Sequence, residues 1–148
     1  MATQQTLAQT VDAIAVINAT VPGIVASYGA NNMPQSITQT PSALVLLGPD
    51  EWKPFGITEF WIRVFVAPMQ AAGNPGAIYA RCLQLATDFR NTYALRTTNI
   101  GDRYIMRNKL TTKGGFGSTG YVYTLKYGNA DYYGFQINLP LASSVPGA

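Results

Sequence analysis

An α+β fold, with two amphipathic helices packed on one face of a mostly antiparallel sheet, is predicted by three features of the sequence. Two segments repeat their apolar residues at helical spacing, one near the start and one in the middle. Several others alternate apolar and polar residues, or run apolar over strand length. The resulting order is helix, strand, strand, helix, then two or three strands, and two helices laid on one sheet face is its economical packing.

In the first helix Leu7, Val11, Ile14 and Ala15 share one face, Thr6 with Gln9 forms a capping box, and Pro22-Gly23 ends the element. Residues 24–41 read as a long connector holding Gly29, Asn31, Asn32, Pro34 and Pro41. Ser42 to Leu47 is a short apolar strand closed by Gly48-Pro49. Thr58 to Ala67 alternates, with Phe60, Ile62, Val64 and Val66 on a core face. Glu59, Trp61, Arg63 and Phe65 form its semi-polar face, and Pro68 stops it. After the turn at Gly73-Asn74-Pro75-Gly76, Ile78, Cys82, Leu85, Phe89 and Tyr93 mark the second helix, with Arg81, Asp88 and Asn91 on its wet side. Residues 102–110 read as a further strand rich in basic residues. Tyr121, Tyr123, Leu125 and Tyr127 then lead through a turn at Gly128 to Asp131 into Tyr132–Leu141, a hairpin. Tyr133, Phe135, Ile137 and Leu139 share a face of its second arm, and residues 142–148 read as a flexible tail.

The 148 residues make one domain, 1–148, large enough to fold without a disulfide or metal staple. Charged residues are only 11% of the chain, against about 25% in an ordinary soluble domain. Thr, Asn, Gln and Ser supply the polarity instead, a composition suited to contact with other protein. The chain has no histidine, which removes the usual general base and the commonest metal ligand. Its single cysteine, Cys82, lies in the apolar stripe of the second helix and reads as core. The opening Met-Ala-Thr-Gln-Gln-Thr lacks the basic region of a signal peptide, and no early stretch is apolar enough to span a bilayer. The expectation is a cytosolic protein where it is made, with no membrane partner.

Gly115-Phe116-Gly117-Ser118-Thr119-Gly120 matches G-x-G-x-x-G, but an alternating strand follows where a dinucleotide site needs a helix N-terminus. A kinase reading fails because its catalytic loop requires histidine. The segment 114–120 reads as a Gly-rich loop in which Gly114, Gly115, Phe116 and Gly117 are a candidate inter-subunit contact. Asp50 and Glu51, adjacent in a turn with Glu59 nearby in sequence, do not imply a working carboxylate pair, since adjacent strand residues point to opposite faces; they read as a capped turn or as salt-bridge partners for a neighbouring subunit's arginine. No catalytic, cofactor-binding or metal residue is nominated, and the expectation is a non-enzyme. Charge is unevenly placed. Residues 81–113 hold seven Lys and Arg against Asp88 and Asp102, whereas 1–49 carry only Asp12. Arg103, Arg107, Lys109 and Lys113 form a candidate basic strip facing a lumen or a partner, of the kind that attracts phosphate without reading bases. The plain alternative is a solvated strand edge.

Helix 1 runs into Val21-Pro22-Gly23-Ile24-Val25-Ala26-Ser27-Tyr28, then Met33-Pro34-Gln35-Ser36-Ile37 and Thr40-Pro41-Ser42-Ala43-Leu44-Val45-Leu46. A strand ending in Val64-Phe65-Val66-Ala67-Pro68, a helix and the aromatic arm Tyr132-Tyr133-Gly134-Phe135-Gln136-Ile137-Asn138-Leu139 follow. In this order of elements the chain resembles the tail terminator and neck proteins of long-tailed bacteriophages over nearly its whole length. The resemblance implies a structural virion protein that forms a homo-oligomeric ring, hexameric in that family, at the head–tail junction. It further implies termination of tail-tube polymerisation, partners in the tail-tube protein and a neck or connector protein, and non-specific DNA passing transiently through the lumen. Localisation would be the virion neck, and the host cytoplasm during assembly. The connector 24–41 and the tail 142–148 would then order on assembly. Two alternatives stand beside it: another neck component, such as a head-completion or connector-adapter protein, and a small DNA-binding module.

Overall fold

The computed structural model describes residues 6–48, 57–69, 75–94, 100, 103–105, 110–113 and 123–143. Within them α1 (Leu7–Asn18) and α2 (Pro75–Ala94) accompany seven strands. The strands are β1 (Ala26–Tyr28), β2 (Ser42–Leu47), β3 (Ile57–Pro68), β4 (Arg103–Ile105), β5 (Thr111–Lys113), β6 (Tyr123–Tyr127) and β7 (Ala130–Ser143). The fold is α+β, as the sequence predicts.

The Thr6–Gln9 capping box closes α1 at both bonds: Gln9 N–H donates to Thr6 Oγ1 at 3.1 Å, and Thr6 N–H donates to Gln9 Oε1 at 2.9 Å. The helix stops at Asn18, before Pro22-Gly23, and Gly23 then turns the chain at φ 91°. Leu7 departs from the expected core face. It is 45% exposed, while Val11, Ile14 and Ala15 are buried. In α2 the expected stripe holds: Cys82, Leu85, Phe89 and Tyr93 are buried and Ile78 is half-buried.

The sheet runs β1-β2-β3-β7, and the far edge of β7 carries β6, β5 and β4. All its pairs are antiparallel except β1 with β2. The two longest strands, β3 and β7, pair at its centre, with one irregularity between Phe65 and Ala67. Beyond the expected hairpin, β7 continues to Ser143, so residues 142 and 143 belong to a strand and not to a tail. Of the segment 102–110 expected as a strand, Arg103–Ile105 forms β4, and β5 follows at Thr111–Lys113. Gly128, at φ 61°, occupies the first central position of the two-residue β6–β7 loop, where a II′-type hairpin turn favours glycine.

Both helices pack on one sheet face. Ala43 and Val45 of β2, Phe60, Ile62 and Val64 of β3, and Phe135, Ile137 and Leu139 of β7 join residues of α1 and α2 in one buried cluster. Each fully buried side chain of this size contributes about 1.5–3 kcal/mol by leaving water. On the opposite face a smaller cluster gathers Ile37, Leu44, Phe65, Leu125 and Tyr132.

That second cluster accounts for residues 24–41. The segment contains β1, and Ile37 is buried against the sheet. The Tyr127 hydroxyl donates to the Pro34 carbonyl, and the Tyr132 hydroxyl donates to the Ile37 carbonyl at 3.1 Å. Asp12 Oδ1 accepts from the backbone N–H of Ala30 and of Asn31 at 2.8 and 3.2 Å. These contacts tie the connector to α1 and to the sheet within one subunit.

Candidate functional site

The helix-free face of the sheet carries the arrangement of side chains that the core does not explain. Glu59, Trp61 and Arg63 alternate with the core residues of β3, so all three stand on this face. Gln136 lies opposite Arg63 and Asn138 opposite Trp61 on β7. Trp61 Nε1 donates to Glu59 Oε1 at 2.7 Å, Arg63 Nε to Gln136 Oε1 at 3.1 Å, and Gln136 Nε2 to Asn138 Oδ1 at 2.8 Å. The Arg63 guanidinium carbon stands 5.7 Å from the Trp61 ring centre, a cation–π contact. Glu59, Trp61, Arg63 and Asn138 are half-buried and Gln136 is buried. Gly48 adjoins the row: a Cβ there would lie 2.9 Å from Trp61 Nε1 and 2.7 Å from the Glu59 carbonyl oxygen. The row is hydrogen-bonded, polar and aromatic, suited to contact with another surface.

Of the expected basic strip, the described residues include the side chain of Arg103 alone. Arg103 is 2% exposed, and its Nη1 donates to Thr58 Oγ1 at 3.2 Å. Its Nε has no hydrogen-bond partner among the described residues. Register with Ser143 sets Arg103 on the Thr58 side of the sheet, so this subunit does not offer it to a lumen or partner. A three-residue strand has too little alternation for the sequence to assign its faces. Lys113 ends β5 opposite Gln136, its side chain outside the described residues. Arg107, Lys109, Gly114, Gly115, Phe116 and Gly117 also lie outside them, as do Asp50 and Glu51. The described chain resumes as strand β6, not as the helix a dinucleotide-binding glycine loop requires.

Cys82 is fully buried, and burial pushes its thiol up to about 11 against a smaller opposing pull from the Arg81 charge. The thiolate is the nucleophilic form, so this environment suppresses reactivity. Among the described residues no three His, Cys, Asp or Glu side chains group as metal ligands. No described helix is long and apolar enough to cross a membrane.

The Gln136–Asn138 half of the row escapes sequence reading because it depends on the β3–β7 register. The even positions of β7 alternate with Phe135 and Ile137, which is the signal that marks them as facing away from the helices. No known protein family, curated protein or solved structure matches the chain.

Proposed function

We propose that the protein is a non-enzymatic structural subunit of a tailed-phage virion, forming a ring at the head–tail junction that ends tail-tube polymerisation and joins the tail to the neck. The observation that carries this reading is the one-sided sheet. Its helix-free face presents half-buried Glu59, Trp61, Arg63 and Asn138, hydrogen-bonded among themselves and to the buried Gln136. The low charge content agrees with it, because permanent interfaces are depleted in charge. A contact between two different surfaces that repeats and closes gives a cyclic ring. The order of elements over nearly the whole chain supports the tail terminator in particular.

The test is genetic. A phage lacking this protein is expected to build overlong tails that fail to join heads. Tails of normal length attached to heads would overturn the reading, and tail-less filled heads that leak DNA would assign the chain to another neck position.

A further inference from the structure

We infer that the Glu59–Trp61–Arg63 row receives the outer shoulder of α2 from a second copy of this chain. Glu59 meets Arg81, Trp61 meets Gln84 and Arg63 meets Asp88 of the neighbouring copy. The inference rests on the ring reading and specifies which two surfaces close it.

Charge order and spacing carry the argument. Along β3 the row reads acidic, aromatic, basic, and Glu59 and Arg63 are four residues apart, about 13 Å at strand rise. Along α2, Arg81, Gln84 and Asp88 fall at i, i+3 and i+7 on one shoulder. They read basic, amide, acidic, with the outer two about 10.5 Å apart at helical rise. A helix laid alongside β3 in the same direction therefore sets opposite charges against each other at both ends. The 2–3 Å mismatch, roughly, is within the reach of two arginine side chains.

Both partners are available. Among the described residues Lys126–Asp131 is the ion pair, at 3.9 Å, and no carboxylate pairs with Arg63. Arg63 is held instead by Gln136 and the Trp61 ring, which orient its guanidinium without neutralising it. Asp88 is half-buried, and Gln84 Nε2 donates to its two oxygens at 3.3 and 3.4 Å. Arg81 and Gln84 are exposed, and the exposed Ala77 one turn earlier leaves room for close approach. Because the two surfaces differ, each copy uses one on either flank, the geometry of a heterologous ring contact.

The experiment uses full-length protein at moderate salt, with oligomer mass followed by light scattering and rings by electron microscopy. R63E and D88R are each expected to raise the concentration needed for assembly at least about tenfold, and R63E/D88R on one chain to restore it. R81E and E59R/R81E repeat the cycle at the other end, so an R63E chain that fails to fold leaves the test standing. Wild-type rings that persist in D88R and R81E would overturn the inference and leave the ring reading intact. A wild-type chain that stays monomeric would overturn both. Binding of a single-stranded 20-mer that R63E abolishes, with assembly unchanged, would assign the face to nucleic acid and overturn the inference.

Discussion

The Tyr93 hydroxyl donates to Asn18 Oδ1 at 2.5 Å, joining the last turn of α2 to the last residue of α1 inside the core. Asn18 is fully buried, and among the described residues its Nδ2 has no hydrogen-bond partner. The pair fixes where the two helix ends meet on the sheet. Tyr93→Phe is expected to lower stability by about 1–3 kcal/mol, because it leaves a second buried polar atom of Asn18 unmet. Asn18→Leu in the same background should recover part of that loss, since removing both partners abolishes the desolvation cost. Urea unfolding of the two variants measures the difference, and a double variant weaker than Tyr93→Phe would contradict it.

Asp12, the sole acidic residue in the first 49 positions, holds the connector through the amides of Ala30 and Asn31. Asp12→Ala is expected to cost about 1–2 kcal/mol and to speed hydrogen exchange at those two amides while core β3 amides stay protected. Gly29→Ala should have a similar effect, because a Cβ there would stand 2.5 Å from Asp12 Oδ1 and 3.2 Å from its Cα.

Gly134 faces Phe65 beside the irregularity in the β3–β7 ladder. A Cβ at this position would overlap the Val64 carbonyl oxygen. Gly134→Ala is expected to destabilise the fold by about 3 kcal/mol, the upper end for overpacking a core. Thermal melting would show it, and a melting point within a degree or two of the parent would refute the close approach.

Cys82 titrates near 11 in the folded chain, above its ordinary value of 9.0. The unfolded chain therefore loses this proton first as pH rises, so stability falls between about pH 9 and 11 and is unaffected by this group below that window. Alkylation at pH 8 is expected to track transient opening of α2 and to slow when the fold is stabilised. Rapid labelling of the native protein would contradict the burial argument.

What the sequence reveals and what it hides divide along physical lines. The faces of β3 and α2 are legible because long elements repeat their period enough times to separate core from surface, down to Cys82 and Trp61. Strand β1 is hidden, because three residues joined in parallel to β2 leave no alternation to read. Arg103 is misread for the same reason. The hold on the connector is also illegible, since it depends on Tyr127 and Tyr132 hydroxyls meeting carbonyls more than 90 positions away. Half of the candidate surface, Glu59 to Arg63, lies on one strand and is visible as a semi-polar face. The other half waits on the register that places Gln136 and Asn138 beside it.

The most direct measurement of the central claim is the mass and shape of the purified full-length protein under assembly conditions, by native mass spectrometry and electron microscopy. The account predicts a closed ring of identical copies with a central opening, six-fold on the proposed tail-terminator reading. A uniform monomer across the concentrations at which tails assemble would contradict it.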